Sequence, residues 1–576
     1  MNAKRKTVAC APSAGCVDWH QIDWKKANAN VRRLQARIVK ATKEGRWGKV
    51  KALQRLLTTS FSGKALAVRR VTENRGKATA GVDGEKWATP KQKAEAITRM
   101  KRRGYKPQPL RRVYIPKANG KKRPLGIPTM LDRAMQAIYL LALAPVAETT
   151  ADPNSYGFRP ERSAHDAREW VHTLLAQRTA PEWVLDADIE GCFDHISHQW
   201  LIANIPMDKA ILSKWLKAGV VFNGEFNPTT EGTPQGGIIS PTLANMALDG
   251  LETMLNRKFP KINTGKQKGE LSIPPYALTK GVIREYRNNV YFNPKVKIAR
   301  YADDFIVTGE DKTFLEEVVK PEIESFLKER GLRLSAEKSR VTHIAEGFDF
   351  LGWNVRKYDG TLLIKPAKTS IAKLIRSIRA TVRELRTAPG HEVVRRLNPI
   401  LRGWSNYHKV AVSKEIFSKI DSFVWQKLWR WAKRRHPNKG SKWILRKYFA
   451  HHQLASKTFA PQNESGKFRN YIWRLGEVHI TRYDRIKAEA NPYDPEWEEY
   501  FERRLAKELF KTMTGKGKLS RLWRKQKGLC PKCGGKITTD TGWHVHHKVS
   551  RAKGGGDNQE NLEVYHPFCH IQHHHG

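Results

Sequence analysis

Two aspartates stand side by side in "ARYADDFIV", Asp303 and Asp304, between a basic entry and an apolar exit. Adjacent carboxylates repel each other, so something positive has to sit on them. The apolar flanks predict a hairpin with the pair at its tip. In a straight strand, neighbouring side chains point to opposite faces, whereas at a turn both approach one point. Oxygen ligands of this kind suit Mg²⁺, which keeps several waters and takes one or two protein carboxylates plus substrate phosphates. Two ions about 4 Å apart need a further carboxylate on a second strand. "VLDADIEGCFDH" offers Asp188 in an apolar, strand-like run, with Ile189 beside it. A lone Asp-Asp is more often a turn or a surface feature, so its meaning depends on the rest of the chain.

A second group lies at the C-terminal end, in "LCPKCGGKITTDTGWHVHHKVSRAKGGGDNQENLEVYHPFCHIQHHHG". Cys530-x2-Cys533 and His566-x2-Cys569 are two knuckles that can close a tetrahedral Zn²⁺ site. So small a module has little core of its own, which makes a structural metal useful. The three cysteines read as metal ligands and not as a disulfide framework. Cys10, Cys16 and Cys192 are scattered.

The 576 residues are too many for one core and predict three to five modules. Lys and Arg total 105 against 56 acidic residues, a formal charge of +49. That excess destabilises a compact chain unless a polyanion neutralises it. The basic residues run through most of the sequence, so a long phosphate backbone is the natural partner, with strongly salt-dependent binding. No apolar run reaches the length of a membrane span: "YLLALAPV" is short and interrupted by Pro145. "MNAKRK" has no apolar segment after it, so a cytoplasmic protein without a membrane partner is expected.

Helical patterning is expected over 24–75, with Val31, Leu34 and Ile38 on one face, Leu53, Leu56 and Leu57 on another, and Gly45 between. From about 81 to 360 strands and helices mix: "VYIPK" and "WVLDADI" as strands, "DRAMQAIYLLALAPVAE" as a helix. Residues 262–297 read as an irregular insertion. Residues 366–450 turn helical again, and Ile416, Ile420, Phe423, Val424, Leu428 and Trp431 form an apolar stripe with basic residues opposite. Residues 456–468 read as a linker or exposed loop.

The order of blocks resembles a known family. "YADD" and the upstream "DIEGCFD" are similar to the catalytic core of reverse transcriptases. "SYGFRPERSAHDA", "GTPQGGIISPTLANMALDGLE", "GLRLSAEKSRVTHI" and "FDFLGWNV" resemble further blocks of the group II intron branch, and "RGWSNYH" its maturase or thumb domain. The resemblance implies a multidomain α+β chain: an N-terminal helical extension (1–80), right-hand-like fingers and palm with an antiparallel sheet (81–360), a helical thumb or maturase domain (361–455), a DNA-binding region (456–525) and a small endonuclease domain (526–576). It implies that Asp188, Ile189, Asp303 and Asp304 bind two Mg²⁺ ions. Phe193 would screen the sugar 2′ side, favouring dNTPs over rNTPs. Lys117 and Arg123, in "IPKANGKKRPLGIP", would grip the triphosphate. Gln235 in "TPQGG" would lie beside the incoming nucleotide or template, with Gly236 and Gly237 allowing close backbone approach. Lys338 would protonate the leaving pyrophosphate or contact phosphate more generally.

The tail resembles the HNH nuclease fold, a hairpin and a helix around one divalent ion. The resemblance makes His547 the general base, His546 a ligand and Asn561 the residue that orients the base. His570 and His574, four apart on one helix face, can bind the same ion. His544 shares the strand face of His546 and is an alternative ligand, and His573 and His575 flank His574. The family reading is an RNA-directed DNA polymerase, splicing maturase and DNA endonuclease. It would act in a ribonucleoprotein with intron RNA, on target DNA and dNTPs, by target-primed reverse transcription in retrohoming. A second copy of the chain is a candidate partner. The alternatives are a non-catalytic RNA-binding splicing cofactor and a reverse transcriptase of another lineage.

Overall fold

Asp23 opens the first helix: its carboxylate accepts from the Lys26 amide at 2.9 Å, and Lys40 and Lys43 complement the dipole in the last turn. The computed structural model describes residues 18–576 except 117–119, 121, 234–235, 261, 264–282, 287–288, 453–454, 463–465, 469, 502, 506–516, 539–540, 550–557 and 576. Cys10 and Cys16 therefore lie outside the described residues. The first helix, α1 (Trp24–Lys43), is followed by α2 (Trp47–Thr59) and α3 (Phe61–Glu73), as the patterning requires. Gly45 closes α1 with a left-handed φ of +66°. Leu53 and Leu57 are buried, whereas Leu56 faces solvent, so the second apolar face is narrower than expected. After α4 (Pro90–Arg99) comes α5 (Met130–Thr150), which runs through Pro145 without ending. By length and composition α5 is apolar enough to cross a membrane, but most of it is buried under α1, α2 and α3. It is the core helix of the N-terminal half.

β1 (Leu110–Pro116) and β2 (Lys122–Ile127) form a hairpin. The helix α6 (Ala164–Leu175) precedes β3 (Trp183–Asp188), and α7 (Cys192–His195) follows it. β4 (Val220–Phe222) and β5 (Glu225–Asn227) extend the first hairpin into a four-stranded sheet, β2-β1-β4-β5. Part of the expected insertion is regular: β6 (Ile262–Asn263), β7 (Ile283–Tyr286) and β8 (Asn289–Phe292) make a small sheet. β9 (Ile298–Tyr301), β10 (Asp304–Gly309) and β11 (Arg340–His343) assemble with β3 into the antiparallel sheet β11-β3-β10-β9. The apolar runs noted around the aspartates are why: Val184, Leu185, Phe305, Ile306 and Val307 are all buried. A meander, β12 (Phe348–Phe350), β13 (Trp353–Tyr358) and β14 (Thr361–Pro366), leads to α8 (Lys368–Glu384), α9 (Gly390–His408) and α10 (Lys414–Arg435). Phe417, Ile420, Val424, Leu428 and Trp431 of α10 are buried.

The stretch expected as a linker starts as a strand instead. β15 (Phe449–His452) pairs with β16 (Ala455–Phe459), because Phe459 is buried against Tyr448, Phe449 and Trp431. The chain then crosses the molecule as a strap. Asp421 on α10 accepts from the amides of Leu475 and Gly476 at 2.9 and 2.8 Å. Asp166, buried on α6, accepts from the Ile486 amide at 2.7 Å, from Tyr483 at 3.1 Å and from Arg504 at 3.1 Å. Lys43 on α1 pairs with Asp494. The strap thus ties the α8–α10 bundle, α6 and the N-terminal helices together. Last come α11 (Gly517–Lys525), the hairpin β17 (His544–His547) and β18 (Leu562–Tyr565), and α12 (Pro567–His575).

Candidate active sites

The hairpin expected around the aspartate pair is present, with Ala302 and Asp303 as its two turn residues and Asp304 paired back to Tyr301. Ala302 takes φ +59°, a left-handed conformation costly for a residue with a Cβ. The turn has no room to relax: a Cβ on Gly157 would lie 2.3 Å from the Ala302 amide nitrogen, so the "SYGF" loop is pressed onto the tip. On the other side, Asp304 is directly opposite Asp188 in the β3–β10 register. Three carboxylates therefore converge from two strands and one turn. Ile189 is buried and bridges Leu334, leaving its carbonyl as the one group it could offer a metal.

Arg300, the nearest cation in sequence, does not neutralise the pair. It is buried and bonded to Asp249 and Asn245. The positive charge comes from elsewhere: Lys338 donates to Asp188 Oδ2 at 2.7 Å, from a turn whose Ser335 amide donates to the Asp188 carbonyl at 2.8 Å. That bond holds Lys338 above its ordinary pKa. Burial raises the Asp303 carboxyl, with Asp188 adding to it and Arg123 and Lys338 opposing. Asp304 keeps one side toward solvent, yet its carboxyl is pushed up to about 7, first by the protein packed around it, then by Asp188 and Asp303. Such a crowded acidic site is what a divalent cation relieves.

Arg123 is exposed on β2, near enough to act electrostatically on Asp303, so the β1–β2 hairpin leans over the acidic site. Lys117 and Gln235 lie outside the described residues. The rings of Phe193 and Phe158 meet edge-to-face at 6.0 Å, and Phe158 is itself exposed at φ +58°. Gly236 faces Gly126, where an added Cβ would come within 2.6 Å of the carbonyl oxygen, so here the close backbone approach is real. Two neighbours escaped the sequence reading. Asp186 shares the strand face of Asp188, and burial pushes its carboxyl up to about 6 while Arg340 pulls it down. The Asp-x-Asp spacing was the available signal. Cys192 is buried beside the acidic site, with a thiol raised to about 12 by burial and by Asp303, which leaves it inert.

In the tail, ligand atoms of Cys530, Cys533, His566 and Cys569 all lie within 4.8 Å of one another, as the knuckle spacing predicts. The Nδ1 of His566 faces the Cys533 sulfur at 3.3 Å, while its Nε2 is 2.9 Å from the Lys536 carbonyl, which fixes the ring. His546 is buried on β17, its ring 5.3 Å from that of His570 and 4.5 Å from that of His573. His544 reaches His570 at 5.3 Å. The side chain of His574 lies outside the described residues; among the described ones His570 and His573 are both brought to His546, His573 the nearer. His547 is opposite Leu562, facing the other way. Asn561 does its holding through the backbone two residues beyond His547: it accepts from the Val549 amide at 2.7 Å and donates to the Val549 carbonyl at 3.0 Å.

Comparison with known proteins gives these sites their context. Residues 19–100 match the N-terminal domain of reverse transcriptase, and 115–355 match reverse transcriptase (RNA-dependent DNA polymerase). Residues 371–449 match the group II intron maturase-specific domain, and 530–576 match HNH endonuclease. Group II intron-encoded protein LtrA of Lactococcus lactis subsp. cremoris is 30% identical over 429 residues, covering 62% of this chain and 70% of LtrA. The chain belongs to the group II intron-encoded proteins. Protein YkfC of Escherichia coli K12 is 34% identical over 316 residues, 52% of this chain and 82% of YkfC. An uncharacterized 91 kDa protein in the cob intron of Schizosaccharomyces pombe is 27% identical over 368 residues, 55% of this chain and 45% of that protein. As a group II intron-encoded protein, the chain joins reverse transcriptase, maturase and HNH endonuclease in one polypeptide and binds intron RNA.

Proposed function

We propose that Asp188, Asp303 and Asp304, with the Ile189 carbonyl, hold two Mg²⁺ ions at which a DNA 3′ end is extended on an RNA template. Three carboxylates at one point, one of them raised to about 7, are a donor set that fits a hard divalent cation. When bound, the ions activate a 3′-hydroxyl and stabilise the leaving pyrophosphate. The protein's residues do the rest. Arg123, on the β1–β2 hairpin, grips the triphosphate together with Lys117. Phe193 closes the space a ribose 2′-hydroxyl would need. Gln235 serves the incoming nucleotide or the template, and Lys338 delivers a proton or a charge-assisted bond to pyrophosphate.

In the tail, the three cysteines and His566 suit a structural Zn²⁺, whose soft sulfur donors distinguish it from the Mg²⁺ site. His547 takes a proton from water, positioned by Asn561 through its loop. His546 and His570, with His573 or His574, hold the ion that stabilises the cleaved phosphodiester. The order of events follows: the protein helps its intron RNA splice, enters target DNA with that RNA, nicks the second strand, and copies the intron from the cleaved 3′ end. The register that sets Asp304 against Asp188, with Asp303 next to it in the turn, carries this reading. Primer extension with Mg²⁺ and dNTPs on an RNA template tests it. cDNA is the expected product; none from pure, folded protein would leave an RNA-binding splicing cofactor.

A further inference from the structure

Arg69 belongs to α3 and Cys569 to α12, nearly the whole chain apart, yet the Arg69 guanidinium donates to the Cys569 sulfur at 3.1 Å. Both residues are buried. The guanidinium lies over the Trp24 ring, 4.8 Å from its centroid, and over Phe568 at 5.7 Å. Its Nε is bonded to Glu73 at 2.8 Å. On α1, Asn28 donates to the Cys533 carbonyl at 2.7 Å. Lys93 of α4 reaches over both Trp19 and Phe568. Leu522, Trp523, Val564 and the three cysteines share one continuous apolar core with the N-terminal helices.

A zinc knuckle standing alone satisfies its sulfurs with its own backbone amides, as the Gly535 amide does for Cys533 at 3.4 Å. Cys569 takes its outer partner from another domain, and that partner is a cation. Three thiolates and a neutral imidazole around Zn²⁺ carry a net charge of −1, which the buried guanidinium, shared with Glu73, partly offsets. Resting on the zinc assignment above, we propose that this centre is an inter-domain one, in which Arg69 and Asn28 are outer partners that seat the endonuclease on the N-terminal helices of the polymerase when metal gathers the sulfurs. Arg69 is then a positioning residue: it touches no substrate, and it fixes where the nuclease rides relative to the polymerase.

Hydrogen exchange on the full-length protein, measured with zinc bound and after chelation, tests this. Removing zinc should speed exchange about tenfold or more in α1 and α3 as well as in the tail. Unchanged exchange in α1 and α3 after complete zinc loss would overturn the proposal. In the Co²⁺-loaded protein, Arg69→Ala should shift the sulfur-to-metal charge-transfer band and Arg69→Lys should shift it less; a band indifferent to both would overturn Arg69 as a partner. Should Arg69→Ala fail to fold, Asn28→Ala and chelation of the unmodified protein carry the test alone. Folded protein with no zinc and no Co²⁺ uptake would instead overturn the zinc assignment itself.

Discussion

Asp188 and Asp304 face each other across β3 and β10 with no intervening residue, an arrangement that costs the metal-free protein stability. Asp304→Asn should therefore act in two opposite directions. It should abolish primer extension, and it should raise the melting temperature in EDTA. The sign follows from the titration. The folded carboxyl, raised to about 7, lies above its unfolded value near 3.9, so Asp304 is a stability cost that is complete above pH 7 and absent below about pH 4. With its open side screened by water, the gain at pH 8 should be about 1 kcal/mol. Paired melts at pH 8 and pH 4.5 check this. A variant that melts lower than the parent at pH 8 would show that the carboxylates are not in conflict.

Phe193 is half-buried, with the Phe158 ring edge-on to it. Phe193→Ala should admit ribonucleotides, raising rNTP relative to dNTP incorporation about 10- to 100-fold, the range that one steric contact can supply. Competition in a single-nucleotide extension assay measures it. Since Phe158 braces the wall, Phe158→Ala should move selectivity the same way by less. Equal rNTP exclusion in all three proteins would return Phe193 to plain core packing.

Much of this site was legible because its signals are local. A hairpin tip, a strand bearing Asp188 and two metal-binding knuckles each fit within a dozen residues, where alternation and ligand spacing operate. What escaped depended on pairings between distant segments. Nothing near Asp303 says that Arg300 turns away to Asp249 while Lys338 supplies the cation. Nothing in "SKTFAPQNESGKF" says that Phe459 is buried, because the Tyr448 and Trp431 rings that receive it lie on preceding helices. Arg69 reads as one more solvated cation among 105 basic residues until Cys569 is found against it.

His408 supplies a pH-dependent term. It is buried at the foot of α9, its ring 4.3 Å from Trp404 and its Nε2 3.2 Å from the Ser370 hydroxyl. Burial, with His165 nearby, lowers its pKa to about 3. In the unfolded chain it titrates near 6.5, so between those values the unfolded state binds the extra proton. The stabilisation is complete above pH 6.5 and is lost on acidification, by up to about 1.4 kcal/mol per pH unit. Denaturant melts followed by tryptophan fluorescence at pH 7.5 and 5 should show the loss, and His408→Gln should flatten it. An unaltered slope in the variant would assign the acid sensitivity to other groups, His165 first, since burial lowers its pKa too.

The endonuclease makes the last prediction. His547→Ala should cut second-strand nicking of plasmid DNA by about 100-fold or more, the share a general base supplies, and leave primer extension intact. Asn561→Ala should cost less, because its two bonds grip the Val549 backbone and its influence on His547 passes through that loop. The helix histidines separate the two candidate ligand sets, His570 with His573 or His570 with His574. With His546 and His573 rings 4.5 Å apart, His573→Ala should weaken metal-dependent nicking more than His574→Ala. The reverse order would make His574, in place of His573, the partner of His570 at the ion, and undiminished nicking by His547→Ala would remove the tail's catalytic assignment altogether.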